Sequence, residues 1–174
     1  ILANYIVENS NLDELWLVVS PHSPFKNKKS LLHDHDRLDM VELAIKNYPK
    51  MKVSDVEFSM PKPSYTIDTL TYLHEKFPTY TFCLIMGEDN LKGLPKWKNY
   101  ETLVKNHEII VYPRIIENQP EKEELHENIH RVNAPIIELS ATEIRKMIKE
   151  GKNTRPMLPT EVFEYIEKKG FYLN

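Results

Sequence analysis

Thr81-Phe82-Cys83-Leu84-Ile85-Met86-Gly87-Glu88-Asp89-Asn90 decides the fold. An apolar run of strand length stops at a glycine and turns acidic. Such a run is a buried strand when turn and breaker residues bound it, and here Pro78 stands before it. The preceding stretch, 66–77, carries Ile67, Leu70, Leu73 and Phe77 at helical spacing. A helix feeding a buried strand is half of a βαβ unit, and the same alternation extends through the rest of the chain.

The alternation runs both ways from that point. Helices are expected over 1–9, 34–47, 66–77, 100–106, 141–150 and 160–169, with a short one near Asn90. Strands are expected over 14–19, 52–58, 81–86, 108–112 and 135–139. Segments 20–32 and 59–64 hold prolines and are expected to be loops; 116–128 is acidic and polar and is expected to be an exposed excursion. Gly151 and Gly170 stand where helices end. Strands alternating with helices predict an α/β fold, a mainly parallel sheet with helices on both faces. One domain is expected over 1–174, with no repeat and no dividing linker.

Composition narrows the function. Of 174 residues, 41% are hydrophobic and 28% charged, which is ordinary for a globular domain. The formal charge of -3 disfavours a broad nucleic-acid or anionic-membrane surface, so neither nucleic acid nor membrane is an expected partner. No apolar run is long enough to span a bilayer. The single cysteine, Cys83, excludes an internal disulfide; it is expected to be a small buried hydrophobe in a reducing, cytoplasmic setting. The four glycines, at 87, 93, 151 and 170, allow neither a dinucleotide fingerprint nor a P-loop.

In parallel sheets, ligands sit at the carboxyl ends of strands. After 14–19 comes a loop stiffened by Pro21 and Pro24 that carries Lys26, suited to an anionic group or simply solvated. After 81–86, Gly87 admits close approach of a ligand, and Asp89 either caps the next helix or accepts from a ribose hydroxyl. Trp97 lies off any periodic apolar face and either stacks on a heterocycle or closes the core edge. After 135–139, Ser140-Ala141-Thr142-Glu143-Ile144-Arg145 opens as a capping box. Helix amides, two hydroxyls and Arg145 there suit phosphate as well as capping. His33-Asp34-His35-Asp36 lacks helical ligand spacing and a third ligand, so no metal site is expected; Asp34 is taken as a helix cap. His126 and His130 are taken as solvated.

Together these motifs resemble the bacterial nicotinate-nucleotide adenylyltransferases, of the nucleotidyltransferase superfamily with its Rossmann-like fold. The resemblance covers essentially the whole chain. It runs through Pro24-Phe25-Lys26, Arg37 to Ala44, Pro63-Ser64-Tyr65-Thr66 to Leu70 and Met86 to Leu91. Leu94-Pro95-Lys96-Trp97, Leu139 to Arg145 and Leu158 to Tyr172 complete it. The family begins with a strand and a G-x-F-x-P-x-H-x-G-H segment that holds two triphosphate-binding histidines. This chain begins at Ile1 without them, so about 20 further residues are expected upstream.

The resemblance implies adenylyl transfer from ATP, with Mg²⁺, to nicotinate mononucleotide. It puts Gly87, Asp89, Ser140, Thr142, Ile144 and Arg145 on ATP, with Arg145 catalytic. Lys26, Tyr65, Thr66 and Trp97 fall to the mononucleotide, and Arg114 is a weaker candidate. Alternatives are an acceptor such as nicotinamide mononucleotide or phosphopantetheine, or a non-catalytic nucleotide-binding module if the polypeptide starts at Ile1. A homo-oligomer is compatible with all of them.

Overall fold

The computed structural model describes residues 1–21, 32–114 and 125–173. In chain order the elements are α1 (Leu2–Glu8), β1 (Leu15–Val18), α2 (Asp34–Ile45), β2 (Met51–Ser54), α3 (Thr66–Lys76) and β3 (Leu84–Gly87). There follow α4 (Glu88–Leu91), α5 (Tyr100–Asn106), β4 (Ile109–Tyr112), β5 (Ile129–Arg131), α6 (Ala141–Lys149) and α7 (Thr160–Lys169). Single 3₁₀ turns cover Val56–Ser59, Leu94–Lys96 and Arg155–Met157.

Every strand pair among the described residues is parallel, and for β1–β2 and β3–β4 the helices between the strands supply the crossover that parallel pairing needs. β1 pairs β2, and β3-β4-β5 forms a second group. Gly87 stands opposite Tyr112, and Val111 opposite Arg131. These registers bring the carboxyl ends of three strands level with one another. The expected α/β architecture is therefore present.

The core lies under β3 and β4. Leu103 and Ile109 are fully buried, and Ile67, Leu70, Met86, Leu94, Val104, Val111 and Ile129 join them. Trp16 of β1 reaches across to the β3 side, edge-on to Phe77 and Phe82 with centroids 5.1 and 5.5 Å away. α7 docks on α2 through polar contacts. The Tyr165 hydroxyl donates to Asp39 Oδ2 at 2.6 Å and Asp36 Oδ1 at 3.1 Å. Lys169 reaches Asp36, and Lys46 pairs with Glu161.

The structure corrects several expectations. Residues 135–139 form no strand: Ile136 is 54% exposed and Leu139 37%. Pro135 cannot donate to a ladder, and the place beside β4 is taken by Ile129–Arg131. Helix α6 thus does not follow a strand directly. The 52–58 strand stops at Ser54, and the chain turns so that Glu57 is buried and accepts from Thr69 Oγ1 at 2.7 Å. The 81–86 strand begins only at Leu84, leaving Cys83 half-buried before it, where burial pushes its thiol above the ordinary value. His33, not Asp34, occupies the cap position of α2, and Asp34 instead pairs with Arg37 at 2.8 Å. The far end of the 116–128 segment is anchored: Leu125 packs on the core, and Asn128 Nδ2 donates to the Val104 and Lys105 carbonyls.

Candidate nucleotide-binding site

The turn from β3 into α4 is built on Gly87. It ends the strand and caps the helix, so Asp89 lies inside the first turn rather than at the cap. The space beside Gly87 is filled. A Cβ there would collide with the Asp89 carboxylate and would lie 3.0 Å from Arg114 Cδ and 3.2 Å from the Tyr112 ring. Glycine is needed for its lack of a side chain, not for a left-handed backbone, because its φ is -77°.

Two acidic residues open α4, where the helix dipole favours them. Each faces an arginine from a neighbouring strand end. Arg114 Nη1 lies 3.7 Å from Asp89 Oδ2, and Arg131 Nε lies 3.1 Å from Glu88 Oε1. Asp89 keeps about half of its side chain exposed, so a carboxylate oxygen remains open to a ligand hydroxyl. Glu88, Tyr112, Pro113 and Arg131 line a small cleft beside this turn.

A second group surrounds the start of α3. Tyr65 occupies the cap position without a side-chain cap; its carbonyl accepts from the Asp68 amide at 3.0 Å, which leaves the Thr66 and Ile67 amides of this 11-residue helix without an acceptor among the described residues. Ser64 precedes it, 8% exposed, and its Oγ has no hydrogen-bond partner among the described residues. The Trp97 segment adjoins through Lys98, which lies 2.7 Å from Asp68 and 4.8 Å from the Tyr65 ring centroid. Thr66 and Trp97 are half-buried, and Tyr65 and Trp97 pack on the same core cluster.

The third group is the start of α6. Ser140 Oγ accepts from the Glu143 amide at 3.1 Å, as the capping pattern predicts. Ser140 and Thr142 are exposed, while Ile144 is buried and fixes the helix to the body. Arg145 reaches back one turn, its Nη2 donating to Thr142 Oγ1 at 3.1 Å. Its guanidinium carbon also lies over the ring of Tyr172, 6.0 Å from the centroid.

Thus the structure brings Gly87, Asp89 and Arg114 together, and Ser140, Thr142, Ile144 and Arg145 together, while Tyr65 and Trp97 pack on one core cluster with Thr66 at the helix start beside Tyr65. No hydrogen bond or ion pair joins one group to another among the described residues. Lys26 lies outside the described residues.

The sequence reading assigned no role to Arg131, Glu88 or Arg37. Arg131 was missed because its strand is only three residues long and bears His130 and Arg131, so no apolar run announced it. Arg37 stood within a quoted motif without a role. It donates to the Ser20 and Leu32 carbonyls and to Asp34, tying the exit of β1 to the start of α2.

Residues 3–147 match the cytidylyltransferase-like family model. The chain is 55% identical over 174 residues to a Flavobacterium johnsoniae protein named "Probable nicotinate-nucleotide adenylyltransferase", covering 99% of this chain and 90% of that one. A Bacteroides fragilis protein of the same name is 44% identical, covering 95% and 82%. Among solved structures, the Plasmodium falciparum nicotinic acid mononucleotide adenylyltransferase complexed with NaAD superposes with a TM-score of 0.74. It is 24% identical, covering 98% of this chain and 87% of that one, and so speaks to the fold alone. With identity of this level carried along nearly its whole length, the chain belongs to the nicotinate-nucleotide adenylyltransferases, within the cytidylyltransferase-like family.

Proposed function

We propose that this protein transfers the adenylyl group of ATP to nicotinate mononucleotide, giving nicotinate adenine dinucleotide and pyrophosphate. The observation that carries the choice of acceptor is the start of α3. The Thr66 and Ile67 amides without an acceptor and the buried, unpartnered Ser64 hydroxyl stand beside Tyr65, which packs on the same core cluster as the half-buried Trp97. An anionic carboxylate on a flat ring satisfies all three: amides and hydroxyl take the carboxylate, and Trp97 takes the ring face. A neutral carboxamide gains less from the helix dipole.

The other two groups suit the rest of the product. Asp89 accepts from a ribose hydroxyl, and Gly87 lets the nucleotide approach the backbone. Ser140, Thr142 and Arg145 take phosphate oxygens, with Ile144 holding their helix in place. Lys26 is assigned to the mononucleotide or triphosphate side by family resemblance.

A mononucleotide phosphate oxygen attacks the α-phosphorus in line. The P–O bond to the β-phosphate breaks, and pyrophosphate leaves. The attacking phosphate is already anionic, so no strong base is needed, and catalysis rests on positioning and charge neutralisation. The described residues hold no group of three or more metal-ligating side chains. Mg²⁺ is assigned, by family resemblance, to the triphosphate of the substrate, where it would neutralise the leaving pyrophosphate.

Equilibrium titration with nicotinate and nicotinamide mononucleotides tests this reading. Tighter binding of the nicotinate form, by about 10-fold or more, is expected for a charged hydrogen-bonded carboxylate. Equal affinities would remove the α3 amides from substrate recognition.

A further inference from the structure

The contact between Arg145 and the end of the chain is not explained by helix capping or by core packing. α7 ends at Gly170 with φ +65°, and two residues later Tyr172 also takes a left-handed backbone, φ +64°. A tyrosine adopts that conformation only where its surroundings hold it. Here they do. Tyr165 is bonded to Asp36 and Asp39 of α2. Phe171 sits between Tyr165 and Tyr172, with centroids 6.0 and 6.3 Å away, and its amide bonds back to Ile166 at 3.1 Å. The turn is thereby fixed to the α2–α7 pair, and it delivers a half-buried ring to the Arg145 guanidinium.

We propose that Tyr172 is a positioning residue for Arg145. Its ring holds one face of the guanidinium while Thr142 holds an edge, so the remaining N–H donors stay aimed at the first turn of α6. The inference rests on the nucleotide reading of that turn. Burial raises the Tyr172 phenol above its ordinary value, against the pull of the Arg145 and Arg37 charges. The ring therefore meets these cations as a neutral aromatic.

The test compares Tyr172→Leu, Tyr172→Phe and Arg145→Lys, singly and combined, using calorimetric titration with Mg-ATP alongside steady-state kinetics. Tyr172→Leu is expected to weaken ATP binding and raise the KM for ATP by about 3-fold, the size of one partly exposed cation–π contact, with the KM for nicotinate mononucleotide unchanged. Tyr172→Phe keeps the ring and is expected to recover the ATP affinity. In an Arg145→Lys background, Tyr172→Leu should add nothing further. Wild-type ATP affinity in Tyr172→Leu would overturn the proposal, as would an undiminished loss in the Arg145→Lys background. So would a parallel rise in both KM values together with a lower melting temperature. A wild-type protein that binds ATP without adenylyl transfer would refute the catalytic reading alone, with the affinities still deciding the role of Tyr172. Failure to bind ATP at all would overturn both.

Discussion

Arg145 is the residue that the proposed function places on the triphosphate. It lies one turn into a helix whose start is exposed, it reaches back to that start, and it is steadied on two sides. Its hydrogen bond to Thr142 is exposed and adds little to stability. Arg145→Ala is thus expected to cut turnover about 100-fold, as removal of a transition-state donor does, while the melting temperature stays within a degree or two. Turnover equal to wild type would take Arg145 out of the mechanism. Trp97→Ala should raise the KM for the mononucleotide by about 10-fold and leave that for ATP alone; steady-state kinetics with each substrate varied separates the two. At Gly87 the constraint is steric. Gly87→Ala must push Asp89 or Arg114 aside, and titration with ATP should show about 10-fold weaker binding.

At the scale of elements, the α2–α7 contact is polar and therefore sensitive to pH. Tyr165 donates to two carboxylates, which hold its phenol well above the usual tyrosine range. A folded-state value above the unfolded one means that the neutral form is favoured by folding. The stability from this contact is fully present below pH 10 and is lost as pH rises beyond it. Tyr165→Phe should cost about 1 kcal/mol at neutral pH, after discounting for partial exposure. The wild-type advantage should shrink between pH 10 and 12 in chemical denaturation. A constant difference across that range would show that the hydroxyl does not couple folding to ionisation. Ser140→Ala removes the α6 cap and should cost about 1 kcal/mol in the same assay.

Elements were legible where periodicity had no competitor. Helices α3, α6 and α7 lie within a residue of expectation because their apolar stripes agree with their stops: Pro78 beyond α3, Gly151 beyond α6 and Gly170 beyond α7. The 135–139 stretch misled because Ile136, Ile137 and Leu139 look like a core strand in isolation, whereas pairing beside β4 was taken by the more polar Ile129–Arg131. Strand identity depends on who pairs with whom, and a single segment does not carry that information.

At the scale of the whole molecule, the parallel β1–β2 and β3–β4 pairs follow from helix-linked strands, and that part of the fold was readable from the alternation alone. The candidate site was readable in part. Gly87, Asp89, Trp97, Ser140 and Arg145 stood out because glycine, a lone indole and a capping box are local signals. Arg131 and Tyr172 did not, since their meaning depends on partners that are distant in sequence: Glu88 for one, Arg145 for the other. In the proposed function the three polar groups share one ligand, the dinucleotide product. The most direct measurement is pyrophosphate release with ATP and Mg²⁺, comparing nicotinate mononucleotide, nicotinamide mononucleotide and phosphopantetheine as acceptors. Fast release with the nicotinate substrate and little with the others is the predicted result. A folded protein that releases pyrophosphate with none of them, or equally with all three, would contradict the account.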